Sequence, residues 1–303
     1  MEEYPKTILE FKKQFLDEEA CRAYLCQIRW PDGFICPRCN CRKFWMTKRR
    51  QFRCSQCDSQ VSVISGTIFQ DSRIPLQLWF EAIWHVVSQK QGVNAKGLQQ
   101  VLGLSRYETT WTLLHRLRIA MVRPGRDRLI GPVQVDETYI GGPRPGKRGR
   151  GAAGKTLVLV AVEDRDKRMG RIRLHKIKNA SGASLLQAVK GSVQLKSEVR
   201  TDGWEGYSQL STSGYKHTII RETTDVGKNL LPLANRVISL LKRWLQGTHQ
   251  GAVRPSHLDY YLDEFVFRFN RRTSGSRGLL FYRLIQQAVS IGPTKAKDIR
   301  AAR

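Results

Sequence analysis

Two Cys-x-x-Cys pairs near the start of the chain limit its fold more than any other feature. Cys36-Pro37-Arg38-Cys39 is followed by Cys54-Ser55-Gln56-Cys57, and two such knuckles offer four thiolates at the spacing that closes a tetrahedral zinc site. Between them Phe44-Trp45 and Gln51-Phe52-Arg53 read as short strands, so residues 31–66 are expected to form a zinc ribbon. A ribbon of this size buries little apolar surface, and the metal must then hold it folded. Cys41 competes with Cys39 for a place among the ligands, although knuckle spacing favours Cys39. Seven cysteines is an odd count, which suits metal binding better than a disulfide framework. Cys21 and Cys26 fall in a helical lead-in over residues 1–30, where Ile8, Phe11, Phe15, Tyr24 and Leu25 share one apolar face with Cys21.

Charge narrows the partner. Fifty-two Lys+Arg against 26 Asp+Glu leave a formal net charge of +26, which points to a polyanion and most simply to nucleic acid. The longest apolar run, Leu157 to Val162, is far too short to span a bilayer, and the first residues show no signal-peptide pattern. A cytoplasmic protein with no membrane partner is expected. With 303 residues of which 41% are apolar, the chain has enough for several real cores.

Residues 71–123 turn helical. Leu76, Trp79, Phe80, Ile83, Trp84 and Val87 recur at helical spacing, and a short helix from Val93 to Leu102, a turn at Gly103 and a Ser105-capped helix resemble a helix-turn-helix. Its second helix, Arg106 to Arg118, would enter a major groove, with Arg106, Thr109, Thr110 and Arg116 as candidate DNA contacts. Leu98, Val101, Leu104, Trp111, Leu114 and Leu117 are expected in the core.

After Arg123-Pro124-Gly125-Arg126 the pattern changes to strands and helices, and residues 130–252 show the element order of an RNase H-like domain: three strands, a helix, two further strands, then the helix Pro232 to Gln246. The full expectation is a multi-domain α+β protein. Val133 to Tyr139 is a β-branched strand with Asp136 in its middle, costly for a core strand unless the carboxylate has a task. Asp202 ends another strand, and in an RNase H-like sheet these two positions lie side by side. Paired carboxylates of this kind bind Mg²⁺ or Mn²⁺, hard cations that prefer oxygen. Lys147, Arg148 and Arg150 make the domain's rim basic. Residues 253–303 are expected to add amphipathic helices and a frayed basic tail from Lys295 to Arg303, with Arg271 and Arg272 placed to grip phosphates.

Four segments carry a family resemblance: Val135-Asp136-Glu137-Thr138-Tyr139-Ile140-Gly141-Gly142, Thr201-Asp202-Gly203-Trp204-Glu205-Gly206-Tyr207, Ser239 to Leu245 with Gly247-Thr248-His249-Gln250-Gly251, and Tyr261 to Arg272. Together with the double knuckle they resemble the transposases of insertion sequence family 1595. The resemblance implies a DDE-type enzyme of a prokaryotic, nucleoid-associated kind. It would bind double-stranded DNA at the element's terminal inverted repeats, act as a homodimer on DNA, nick with Mg²⁺, and join the freed 3′-hydroxyl to target DNA. It implies catalytic roles for Asp136, Asp202, Asn235 and Lys242, with Asp136, Asp202 and Asn235 as Mg²⁺ ligands and Arg243 beside them on DNA. Asn235 stands where a glutamate is usual, 33 positions after Asp202, an arrangement that resembles the DDNK branch of the family. Glu137, Glu205, Glu222 or Asp225 are alternative oxygen donors, although Glu137 should face away from Asp136. A regulator with an inert nuclease-like domain, or a nuclease that never joins, are the competing readings.

Overall fold

The computed structural model describes residues 3–123, 125–141, 155–220 and 230–301. The chain divides into two compact units, residues 1–123 with 274–302, and residues 124–273.

The first unit opens with α1 (Ile8–Gln14) and α2 (Glu18–Arg29). Thr7 and Asp17 cap them by accepting the amides of Glu10 and Ala20. The ribbon follows as β1 (Phe44–Met46), β2 (Phe52–Cys54) and β3 (Gln60–Val61), antiparallel in that order. Then come α3 (Leu76–Ser88), α4 (Ala95–Leu102) and α5 (Tyr107–Ala120).

The turn between α4 and α5 is set by Gly103, whose φ of +63° ends α4 in the left-handed region. The unit's core is a knot of rings, with Phe11, Phe15, Tyr24, Phe80 and Trp84 gathered around Phe281 at centroid distances of 5.4–6.3 Å. Phe281 comes from the far end of the chain.

The second unit is built on a five-stranded sheet. Its strands are β4 (Pro132–Ile140), β5 (Thr156–Arg165), β6 (Arg168–Ile177), β7 (Glu198–Thr201) and β8 (Lys216–Ile219), with α6 (Gly182–Ser192) between β6 and β7. The spatial order is β6-β5-β4-β7-β8; β4, β5 and β6 form an antiparallel meander, while β7 and β8 run parallel to β4. This is the RNase H-like order expected from the sequence. On one face α6 packs against Val133, Val135, Leu159 and Ala161. On the other, α7 (Pro232–His249) and α8 (Leu258–Asn270) cover Val158, Val160, Val162 and Leu174.

Three expectations about element placement change. The segment 253–303 does not stay together, because α8 belongs to the second unit whereas α9 (Arg277–Ser290) and α10 (Ala296–Arg300) belong to the first. Over its described residues, 295–301, the basic tail is not frayed: α10 is helical and buries Ile299 completely. Among the expected core residues Val101 is instead 55% exposed, since it lies on the outer side of a helix only eight residues long.

Candidate functional site

The ribbon brings Cys36, Cys39, Cys54 and Cys57 together, with all four sulfurs within 4.8 Å of one another. The Cys36–Cys57 and Cys39–Cys54 separations are 3.6 and 3.4 Å, close to the ~3.8 Å edge of a tetrahedron with Zn–S bonds of ~2.3 Å. The two knuckles are built alike. Asn40 and Asp58, each directly after a knuckle, take φ of 59° and 60°, a conformation Asn and Asp tolerate. Their amides donate to the carbonyls of Cys36 and Cys54. The close sulfurs share protons: backbone amides of Cys57 and Gln56 pull the Cys54 thiol down to about 6 and Cys36 falls too, while Cys39 is pushed up to about 12 and Cys57 also rises, so it is the tetrahedral spacing of the four sulfurs that matches a metal. The donor set therefore fits zinc. Cys41 stays outside it, with its sulfur near Ser55 Oγ and the Lys43 carbonyl. Cys21 is buried among apolar neighbours, and Cys26 packs against the ribbon core beside Trp30.

The carboxylates are positioned by sheet register. Parallel pairing of β4 with β7 sets Pro132 opposite Glu198, Val133 opposite Val199 and Gln134 opposite Arg200. Two residues further along each strand stand Asp136 and Asp202, the second just past the end of β7. Asp136 is half-buried and Asp202 exposed. Each holds a local backbone bond: Asp136 Oδ1 accepts from the Glu137 amide at 2.8 Å, and Asp202 Oδ1 from the Trp204 amide at 3.0 Å.

Period-two alternation decides which face each residue takes. Val133 and Val135 point to α6, so Gln134 and Asp136 point to α7. Gln134 makes the link itself. It is buried, and its Oε1 accepts the amides of Leu233 and Ala234 at 3.0 and 3.3 Å, tying the first turn of α7 to the strand. Asn235 is the next residue of that turn. Lys242 is exposed two turns on, along the side of α7 that carries Asn235.

Glu137 faces the other way, as expected. Its Oε2 accepts from Tyr207 Oη at 2.8 Å. Burial, with Glu137, Asp136 and Asp202 all nearby, pushes the Tyr207 phenol far up. Sequence reasoning missed both Gln134 and Tyr207. Gln134 carried a signal, a second polar residue on the buried face of a strand that already bore Asp136.

Asn235 also lines a basic cavity of about 840 Å³ with Lys167, Arg168, Arg236, Arg243 and Arg272. Arg272 is engaged there in holding the fold, since it donates to the carbonyls of Met169, Gly170 and Phe269. Arg271 stacks its guanidinium 4.1 Å from the Phe267 ring centroid. Lys147, Arg148, Arg150, Glu222 and Asp225 lie outside the described residues.

In the segment expected to form a helix-turn-helix, Arg106 is exposed and Thr109 half-buried, but Thr110 and Arg116 do not face outward. Thr110 is completely buried, and Arg116 is 6% exposed with Nη1 bonded to the carbonyls of Ile68 and Gln70. The physical reason is helix periodicity: position 110 leans with Leu113, Leu114 and Leu117 into the helical core. The expected Ser105 cap is also absent, because the N-cap of α5 is Arg106 and no side chain caps it.

A four-thiolate ribbon and, in the other unit of the same chain, an RNase H-like sheet with register-matched aspartates define a class: metal-binding proteins that process nucleic acid. Comparison with known families narrows it. Residues 128–270 match the ISXO2-like transposase domain and residues 16–60 the transposase zinc-ribbon domain. The chain belongs to the transposases of insertion sequence family 1595. It is also similar to an uncharacterized protein in transposable element ISH50 of Halobacterium salinarum. That relative is 27% identical over 278 residues, covering 84% of this chain and 92% of the relative. Family membership and the ribbon imply a DNA-binding, DNA-processing enzyme. Among the described residues no helix is long and apolar enough to cross a membrane.

Proposed function

We propose that this transposase binds the terminal inverted repeats of its element as a homodimer, cleaves a strand there, and joins the freed 3′-hydroxyl to target DNA. The observation that carries this reading is the register of β4 against β7, which leads from the last pair, Gln134 with Arg200, to Asp136 and Asp202 on neighbouring strands. Asp136, Asp202 and the amide oxygen of Asn235 offer hard oxygen donors suited to Mg²⁺ or Mn²⁺. Such ions, when bound, activate an attacking oxygen and stabilise a leaving one. Asp136 and Asp202 supply the negative charge of the site, and Gln134 holds the start of α7 so that Asn235 keeps its place. Lys242 and Arg243 put positive charge on the exposed side of α7, where they would hold phosphates of the bound strand.

The neutral Asn235 favours a second reading, a DNA-binding regulator without activity. The two are separated by incubating purified protein with Mg²⁺ or Mn²⁺ and DNA carrying the element's ends. Nicking and strand transfer are expected, and both should vanish in Asp136→Ala and in Asp202→Ala while DNA binding persists. Full cleavage in either variant would overturn the metal-site assignment; binding without cleavage by the wild type would leave the regulator. Cleavage without joining would identify a nuclease.

A further inference from the structure

The start of α5 opens onto a cavity of about 530 Å³ that no part of the proposed chemistry uses. Its wall comes from three places: Asp71 to Ile74 before α3, the first turns of α5 with Arg106, Glu108, Thr109 and Thr112, and α10 with Ala296 and Arg300. Four arginines line it, Arg73, Arg106, Arg116 and Arg300, against two acids, Asp71 and Glu108.

Three independent observations mark it as an anion site. First, no side chain caps the start of α5, so an anion in the cavity would meet the positive end of its dipole. Second, Arg116 lines the cavity at 6% exposure with only part of its guanidinium committed: Nη1 serves the Ile68 and Gln70 carbonyls, while the buried Nε has no partner among the described residues. A charged donor buried in this way is costly unless an acceptor comes to it. Third, α10 is anchored by the fully buried Ile299 and holds the exposed Arg300 at the cavity, so the basic end of the chain has a fixed address. Thr112 Oγ1, also buried and without a partner, adds a hydroxyl to the same wall.

We infer that this cavity seats one backbone phosphate of the bound DNA, gripped jointly by the uncapped start of α5 and the C-terminal helix α10. Helix N-termini with converging arginines suit a phosphate. A phosphate clamped at the first turn of α5 fixes the register in which that helix meets the groove. The inference rests on DNA binding and not on cleavage, so failure of the strand-transfer reading leaves it standing.

The test uses the full chain and fluorescence anisotropy on two 30-bp duplexes, one with the element's end and one scrambled, over a series of KCl concentrations. Arg300→Ala and Arg73→Ala change exposed residues, and unaltered melting would show that the fold is kept. Each should weaken binding to both duplexes alike by about tenfold, and lower the slope of log K against log salt by about 1. Lys297→Ala, on α10 but outside the cavity, should move the slope less. Unchanged affinity and slope in both arginine variants would overturn the proposal. So would an equal loss in Lys297→Ala, which would replace the site by a diffuse basic surface. Inorganic phosphate alone is the remaining probe: thermal protection lost in Arg300→Ala with DNA affinity unchanged would mean a free-anion site and would also overturn it.

Discussion

The ribbon and the proposed aspartate site would solve the same problem, gathering ligands for a cation, in opposite ways. All four thiolates come from one stretch of 22 residues, Cys36 to Cys57, and the fold around them is a few rings: Trp30, Phe34, Phe44 and Phe52 at centroid distances near 5 Å. The oxygen donors Asp136, Asp202 and Asn235 come from two strands and a helix spread over 100 residues, Asp136 to Asn235, and rest on a sheet with two full cores. In the first region the metal is part of the folding free energy. In the second the two cores carry the scaffold, so the proposed cation would serve chemistry.

The sharpest way to break that contrast is to remove metal. Chelation should unfold the ribbon, where structural zinc contributes on the order of 10 kcal/mol in comparable small domains, and leave the sheet domain's melting unchanged. Metal analysis should find about one zinc per chain, and a folded ribbon free of zinc would end the distinction. Next in size, Asp136→Ala and Asp202→Ala should each cost about 10³-fold or more in cleavage, about 4 kcal/mol, with no loss of the sheet domain's stability. A variant that instead unfolds would show that the carboxylate supports the scaffold.

Gln134→Ala tests the join between strand and helix. It leaves two buried α7 amides without their acceptor, so a cost of about 1–3 kcal/mol is expected in urea denaturation, with cleavage falling more than binding because Asn235 loses its brace. The smallest effect concerns His175 on β6. Burial first, then Arg126 and Arg173, pull its pKa down to about 4, with Asp259 opposing. The folded form therefore keeps the ring neutral. The unfolded chain takes up the proton as pH falls below about 6.5, so stability is full above that pH and declines toward about 4. His175 is partly exposed, so the decline should be about 1–2 kcal/mol, and His175→Gln should flatten the profile between pH 4 and 6.5. An unchanged slope would remove His175 as its source.

Much of the molecule was legible before any coordinates. The knuckles named their own fold, and the order of strand and helix patterns led to an RNase H-like sheet. Asp136 announced itself as a carboxylate in a β-branched strand. What failed was orientation within helices and the fate of the chain's end. Thr110 and Arg116 lie on the segment expected to read DNA, yet both turn inward, because an arginine drawn in by Nη1 bonds to the Ile68 and Gln70 carbonyls is invisible to periodicity. The tail from Lys295 read as solvated charge; only the burial of Ile299 shows that it docks.

By itself the sequence determined the ribbon's ligands, the succession of elements, the strand that carries Asp136, and the family, since each rests on spacing along the chain. Tertiary structure alone decided that Gln134 ties α7 to that strand and that Tyr207 holds Glu137. It also decided that α9 and α10 return to the N-terminal unit while α8 stays with the sheet. Those are contacts between residues far apart in the chain, chosen by which apolar faces find cover and which buried polar groups find partners, and no local pattern encodes them.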